Sequence, residues 1–84
     1  MNELTPEELR SILARANAAT PGPWRSFVEG RDHTSGSRFV RTNGDDIEML
    51  GASVADQDFI ANARQDVPRL VAEIARLRGL KIDA

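Results

Sequence analysis

Asp32, His33 and Ser35 carry the residue types of a catalytic triad within four positions. Their spacing argues against that chemistry. Triad members converge from separate elements, with acid and nucleophile on opposite sides of the imidazole. Three residues on one short loop do not reach that geometry, so the expectation is an ordinary loop histidine and no catalytic set. The surrounding stretch, GRDHTSGSR from Gly30 to Arg38, also echoes a phosphate loop. It departs in detail: five residues separate Gly30 from Gly36, and Ser37-Arg38 stands where a lysine and a hydroxyl are needed. Asp45, Asp46 and Glu48 lack the ligand spacing of a calcium loop and read as a solvated turn. No metal and no cofactor are expected.

Anion binding survives these tests. Arg25, Arg31, Arg38 and Arg41 fall within seventeen residues, with His33 among them. Arginine forks and glycine-flanked amides both suit oxyanions. Trp24 or Phe39 would add a stacking face. The candidate ligand-binding set is therefore Trp24, Arg25, Arg31, His33, Arg38, Phe39 and Arg41.

These residues need elements to hold them. The chain has 84 residues, no cysteine and a net charge of −2. That length predicts one domain over 1–84 with a small core. Without disulfides or a zinc site, stability must come from helix packing or self-association. The basic segment 25–41 is followed by 42–66, where Arg64 alone opposes Asp45, Asp46, Glu48, Asp56, Asp58 and Asp66. Such neighbouring charges suggest self-complementary surfaces and argue against a nucleic-acid partner. No apolar run is long enough for a bilayer, and MNELTPEEL lacks the features of a signal peptide. The reading is a soluble cytoplasmic protein with no membrane partner.

Thr5, Pro6 and Glu8 form a capping-box signature, and Leu9, Ile12, Leu13 and Ala16 trace one helical stripe. That helix is expected to end before Pro21. Trp24, after the stiff TPGP turn, is expected to pack on it as a core anchor. Residues 24–28, 38–42 and 46–50 read as three antiparallel strands, the last two joined tightly at Asn43-Gly44. The connection at 29–37 reads as longer and flexible. Strand alternation sets Phe39 and Arg41 against Arg38, Val40 and Thr42. Neither face is cleanly apolar, which suggests burial in an oligomer. Ser53 and Asp56 open a second helical region. Asp66 and Pro68 are expected to break it before a heptad seam of Val67, Leu70, Ile74 and Leu77 that ends at Gly79. The fold class is α+β: an N-terminal helix, a small three-stranded antiparallel sheet and a kinked C-terminal helix.

Two regions carry a resemblance. ATPGPW at Ala19–Trp24, DFIANAR at Asp58–Arg64 and DVPRLVAEIARLR at Asp66–Arg78 resemble small phage, prophage and bacterial accessory proteins, the Ead-like family among them. The resemblance covers both ends and leaves 30–51 aside. Asp58 adjoins Phe59 directly here, and Asp56 takes the family's earlier acidic position. What it implies is a phage-associated accessory protein, with no catalytic residue to carry over.

Taken together, these readings describe a small non-enzymatic homo-oligomeric protein. It would capture an anionic, nucleotide-like small molecule at subunit junctions, a sequestration role. The alternative is an interaction module that docks on a host protein through its C-terminal helix.

Overall fold

The computed structural model describes residues 3–34 and 36–82. Its elements run α1 (Pro6–Ala18), β1 (Arg25–Phe27), β2 (Phe39–Arg41), β3 (Ile47–Glu48) and α2 (Val54–Arg78). The fold is α+β, with one antiparallel three-stranded sheet in the order β1-β2-β3. Two compact units are present. One combines Met1–Ala19 with Asp66–Ala84, and the other is Thr20–Gln65. No described helix is long and apolar enough to cross a membrane.

In the first unit the capping box closes α1. Glu8 N–H donates to Thr5 Oγ1 at 3.1 Å, and Thr5 N–H donates to Glu8 Oε1 at 2.9 Å. Leu9 is fully buried, and Val71 and Ala75 are buried on one face of α2. α2 ends where Gly79 adopts φ +66°, a left-handed angle that glycine reaches without a Cβ clash. Leu80 N–H then donates to Ala75 O and Gly79 N–H to Arg76 O, a Schellman closure.

The expected break at Asp66 and Pro68 is absent: α2 is one helix of 25 residues with Pro68 inside it. The proline leaves the Arg64 carbonyl without its usual donor. Among the described residues Asp66 makes no capping bond that could start a new helix. Losing one bond is cheaper than nucleating a second helix, so the helix continues.

In the second unit α2 opens on the expected Ser53–Asp56 box, with Asp56 N–H donating to Ser53 Oγ at 3.0 Å. Ser26, Val28, Val40, Thr42, Gln57 and Ala61 are buried there. The register pairs Arg25 with Arg41, Ser26 with Val40 and Phe27 with Phe39. Ser26 and Val40 thus share one sheet face, and Gln57 of α2 hydrogen-bonds that side at Ser26. The mixed polarity of the strands is therefore resolved within the chain, and burial of this face needs no oligomer.

Three local expectations change. The β2–β3 connection is not a two-residue turn at Asn43-Gly44; Thr42 organises a longer one. Its Oγ1 accepts from Gly44 N–H at 2.9 Å and donates to Asp45 O at 2.8 Å. Asn43 N–H meanwhile donates to Pro21 O. The start of the β1–β2 connection is a tight knot and not a flexible loop. Arg31 and Asp32 N–H both donate to Val28 O, and Asp32 Oδ2 accepts Val28 N–H at 2.8 Å. Gly30 at φ +83° allows the reversal. Trp24, finally, is half-buried and not a core residue. Its indole N–H donates to Thr20 O at 2.9 Å, so the indole braces the turn that precedes it.

Candidate anion-binding site

The second sheet face carries the candidate site. Side chains two apart on a strand share a face, so β1 presents Arg25 and Phe27 while β2 presents Phe39 and Arg41. The two phenyl rings stack at 5.1 Å with an interplanar angle of 8°. The Arg25 guanidinium carbon lies 4.9 Å from the Phe27 centroid. That of Arg41 lies 4.9 Å from Phe27 and 5.4 Å from Phe39. The His33 ring centre lies 5.3 Å from Phe39 and 6.2 Å from Phe27. His33 Nδ1 also lies 3.8 Å from a Glu29 carboxylate oxygen. The result is a ladder of an arginine row, a phenylalanine row and a histidine.

This face carries charge of both signs, for Glu48 is the cross-strand partner of Phe39. Arg25 and Arg41 are directly opposite, an arrangement that costs energy unless a counter-charge joins them. Asp46 approaches Arg41 at 3.5 Å on the exposed side. Among the described residues no carboxylate lies within ion-pair distance of Arg25. The rings hold both guanidiniums by cation–π attraction, and Arg41 already has a counter-charge in Asp46.

Of the seven residues picked out by the sequence, Arg25, His33, Phe39 and Arg41 come together in this ladder. Three do not. Arg31 is committed to a separate ion network: its guanidinium donates to both Asp58 oxygens at 2.9 and 3.0 Å and to Asp32 at 3.0 Å. The bidentate grip raises the Arg31 pKa further and holds the Asp58 carboxyl down at about 2, with a smaller contribution from the Ser26 hydroxyl. Asp32 is lowered too, by Arg31 first and by the Val28 amide next. Trp24 and Arg31 line a polar cleft of about 300 Å³ with Arg25, Ser26, Asp32, Asp58 and Asn62. Arg38 lines another, of about 640 Å³, between Glu29, Glu48 and the Met49–Ser53 loop. Ser35 falls outside the described residues.

Two contributors had no motif to announce them. Phe27 is the ring under both arginines. Gln57, with no exposed surface, donates through Nε2 to Ser26 Oγ at 2.9 Å, Phe27 O at 2.9 Å and Phe39 O at 3.0 Å. Its Oε1 is buried with no partner among the described residues. An orphaned acceptor of this kind costs about 1–3 kcal/mol. The only trace in the sequence is position: Gln57 precedes buried Ala61 by four residues and so shares its helix face.

Comparison of the chain with protein-family models, with curated proteins and with solved structures gave no match, so the resemblance to Ead-like accessory proteins rests on its quoted motifs alone.

Proposed function

We propose that this chain is a small non-enzymatic binding protein of the phage-accessory type that captures an anionic, nucleotide-like small molecule. The observation that carries the proposal is the pair of arginines placed opposite each other, both over Phe27. The oxyanion would bridge Arg25 and Arg41, relieving their mutual repulsion. Phe39 already has Phe27, His33 and Arg41 within 5.5 Å of its centre, so little ring is left for a base. A base would lie on a guanidinium plane, and the phosphate group would dominate recognition. Titration calorimetry with inorganic phosphate, pyrophosphate and a nucleotide panel at low salt tests this. Binding is expected in the wild type and not in Arg25→Ala or Arg41→Ala. A wild type that binds no anion overturns the proposal.

A second reading, docking on a host protein or on another copy, is favoured by one observation. Leu70 and Leu77 of α2 are 61% and 69% exposed and lie seven residues apart on one stripe. Light scattering at micromolar concentration tests self-association, and a monomer removes that part of the reading. Replacing both leucines with glutamate is expected to abolish docking and to spare anion capture.

A further inference from the structure

We infer that Gln57 is the positioning residue of the arginine–phenylalanine ladder; this rests on the anion-binding reading of that face. Phe27 and Phe39 are cross-strand partners, and Gln57 Nε2 bonds the carbonyls of both. One amide group therefore ties the two backbones at the row whose rings stack. The amide has two protons and meets three acceptors, so one proton is shared. Its orientation follows from those acceptors: turned round, Oε1 would oppose two carbonyl oxygens. That fixes Oε1 on the side where it is buried without a partner.

The strands are too short to set this geometry themselves. β1 and β2 have three residues each. Loss of the clamp would let the Phe27 and Phe39 backbones separate or slide, and the rings would lose their parallel stack. Arg41 spans both rings, so its guanidinium would lose the position it shares with Arg25 over Phe27. Gln57 touches no ligand; it acts through the backbone beneath the rings.

The test is Gln57→Leu, with Gln57→Met as a second variant of different shape. Thr5→Ala serves as a control of comparable instability in the other unit. Two readouts are taken at a temperature where each variant is folded. The first is the aromatic NMR spectrum without ligand, where stacked rings shift one another's protons. The second is affinity for pyrophosphate. Both Gln57 variants are expected to collapse the Phe27–Phe39 ring-current shifts and to weaken pyrophosphate binding about tenfold, the scale on which one net hydrogen bond moves an equilibrium. Thr5→Ala is expected to change neither. Unchanged ring shifts in folded Gln57→Leu or Gln57→Met overturn the inference. If neither variant folds, the wild type decides: slow exchange of both Gln57 Nε2 protons supports the clamp, and fast exchange overturns it. Absence of pyrophosphate binding in the wild type would sink the anion reading alone, because the ring shifts and amide exchange need no ligand.

Discussion

Arg25 and Arg41 face each other across β1 and β2, each with its guanidinium carbon 4.9 Å from the centre of Phe27. Attraction to the ring and repulsion between the charges oppose one another at this row. Arg25→Ala removes a cation–π contact of about 0.5–1 kcal/mol and relieves a like-charge pair of similar size. The expected net change in thermal unfolding is small. The salt response is the sharper measure. Added sodium chloride should stabilise the wild type more than Arg25→Ala, because screening helps only where the repulsion exists. Equal salt responses would show that the two guanidiniums do not sense each other.

Acid should weaken the second unit through Asp58. Its pKa is about 2 in the folded chain, below the ordinary 3.8. A depressed carboxyl contributes stability that is fully present above the unfolded pKa and is lost as pH falls through the folded one. The loss therefore falls between about pH 4 and pH 2, with Asp32 adding in the same direction. Melts followed by circular dichroism should show a shallower acid slope in Asp58→Asn. An unchanged slope would mean that the Arg31–Asp58 pair is not held in solution.

Pro68→Ala should stabilise α2. Alanine restores the amide that the Arg64 carbonyl lacks, and a proline inside a helix costs about 3 kcal/mol. A gain of about 1–3 kcal/mol and a stronger helical signal are expected. A loss of stability would instead assign the proline a packing role.

The Ser53 cap offers a smaller, opposite effect. Ser53→Ala removes the acceptor of Asp56 N–H and should cost about 1 kcal/mol. For a chain of this size that lowers the melting point by roughly 4–8 °C. Ser53→Asp, which keeps an acceptor, should recover most of it.

Leu9→Ala probes the first unit. Leu9 has no exposed surface, and such truncations cost about 2–5 kcal/mol. Against a total of about 5–15 kcal/mol, denaturant titration should show a marked fall in midpoint.

Features that depend on a few neighbouring residues were legible in the sequence. Thr5 with Glu8, Ser53 with Asp56, and Gly79 each act within one helical turn. Strand alternation likewise put Phe39 and Arg41 on one face. What escaped depends on distance along the chain or on competition. Arg31 lies 27 residues from Asp58, and nothing local announces that its charge is already used. Arg25 and Arg41 look like any other arginines until the register sets them opposite. Asn43-Gly44 suits a tight turn, but the Thr42 hydroxyl offers the backbone another arrangement. Pro68 reads as a breaker because propensity is local, whereas the helix on both sides of it is not. Gln57 went unremarked because two of its three acceptors are main-chain carbonyls, which have no sequence signature.

The sheet's outer strands have a consequence for crowded conditions. β1 and β3 form its two edges, and they are only three and two residues long. Long, flat, uncharged edges template the addition of further chains and start fibrils. Here Arg25 marks one edge and Glu48 the other, with Asp45 and Asp46 just before β3. So few unpaired backbone groups, flanked by charge, give a neighbouring strand little to zip onto. The folded sheet therefore offers little template for edge-to-edge growth.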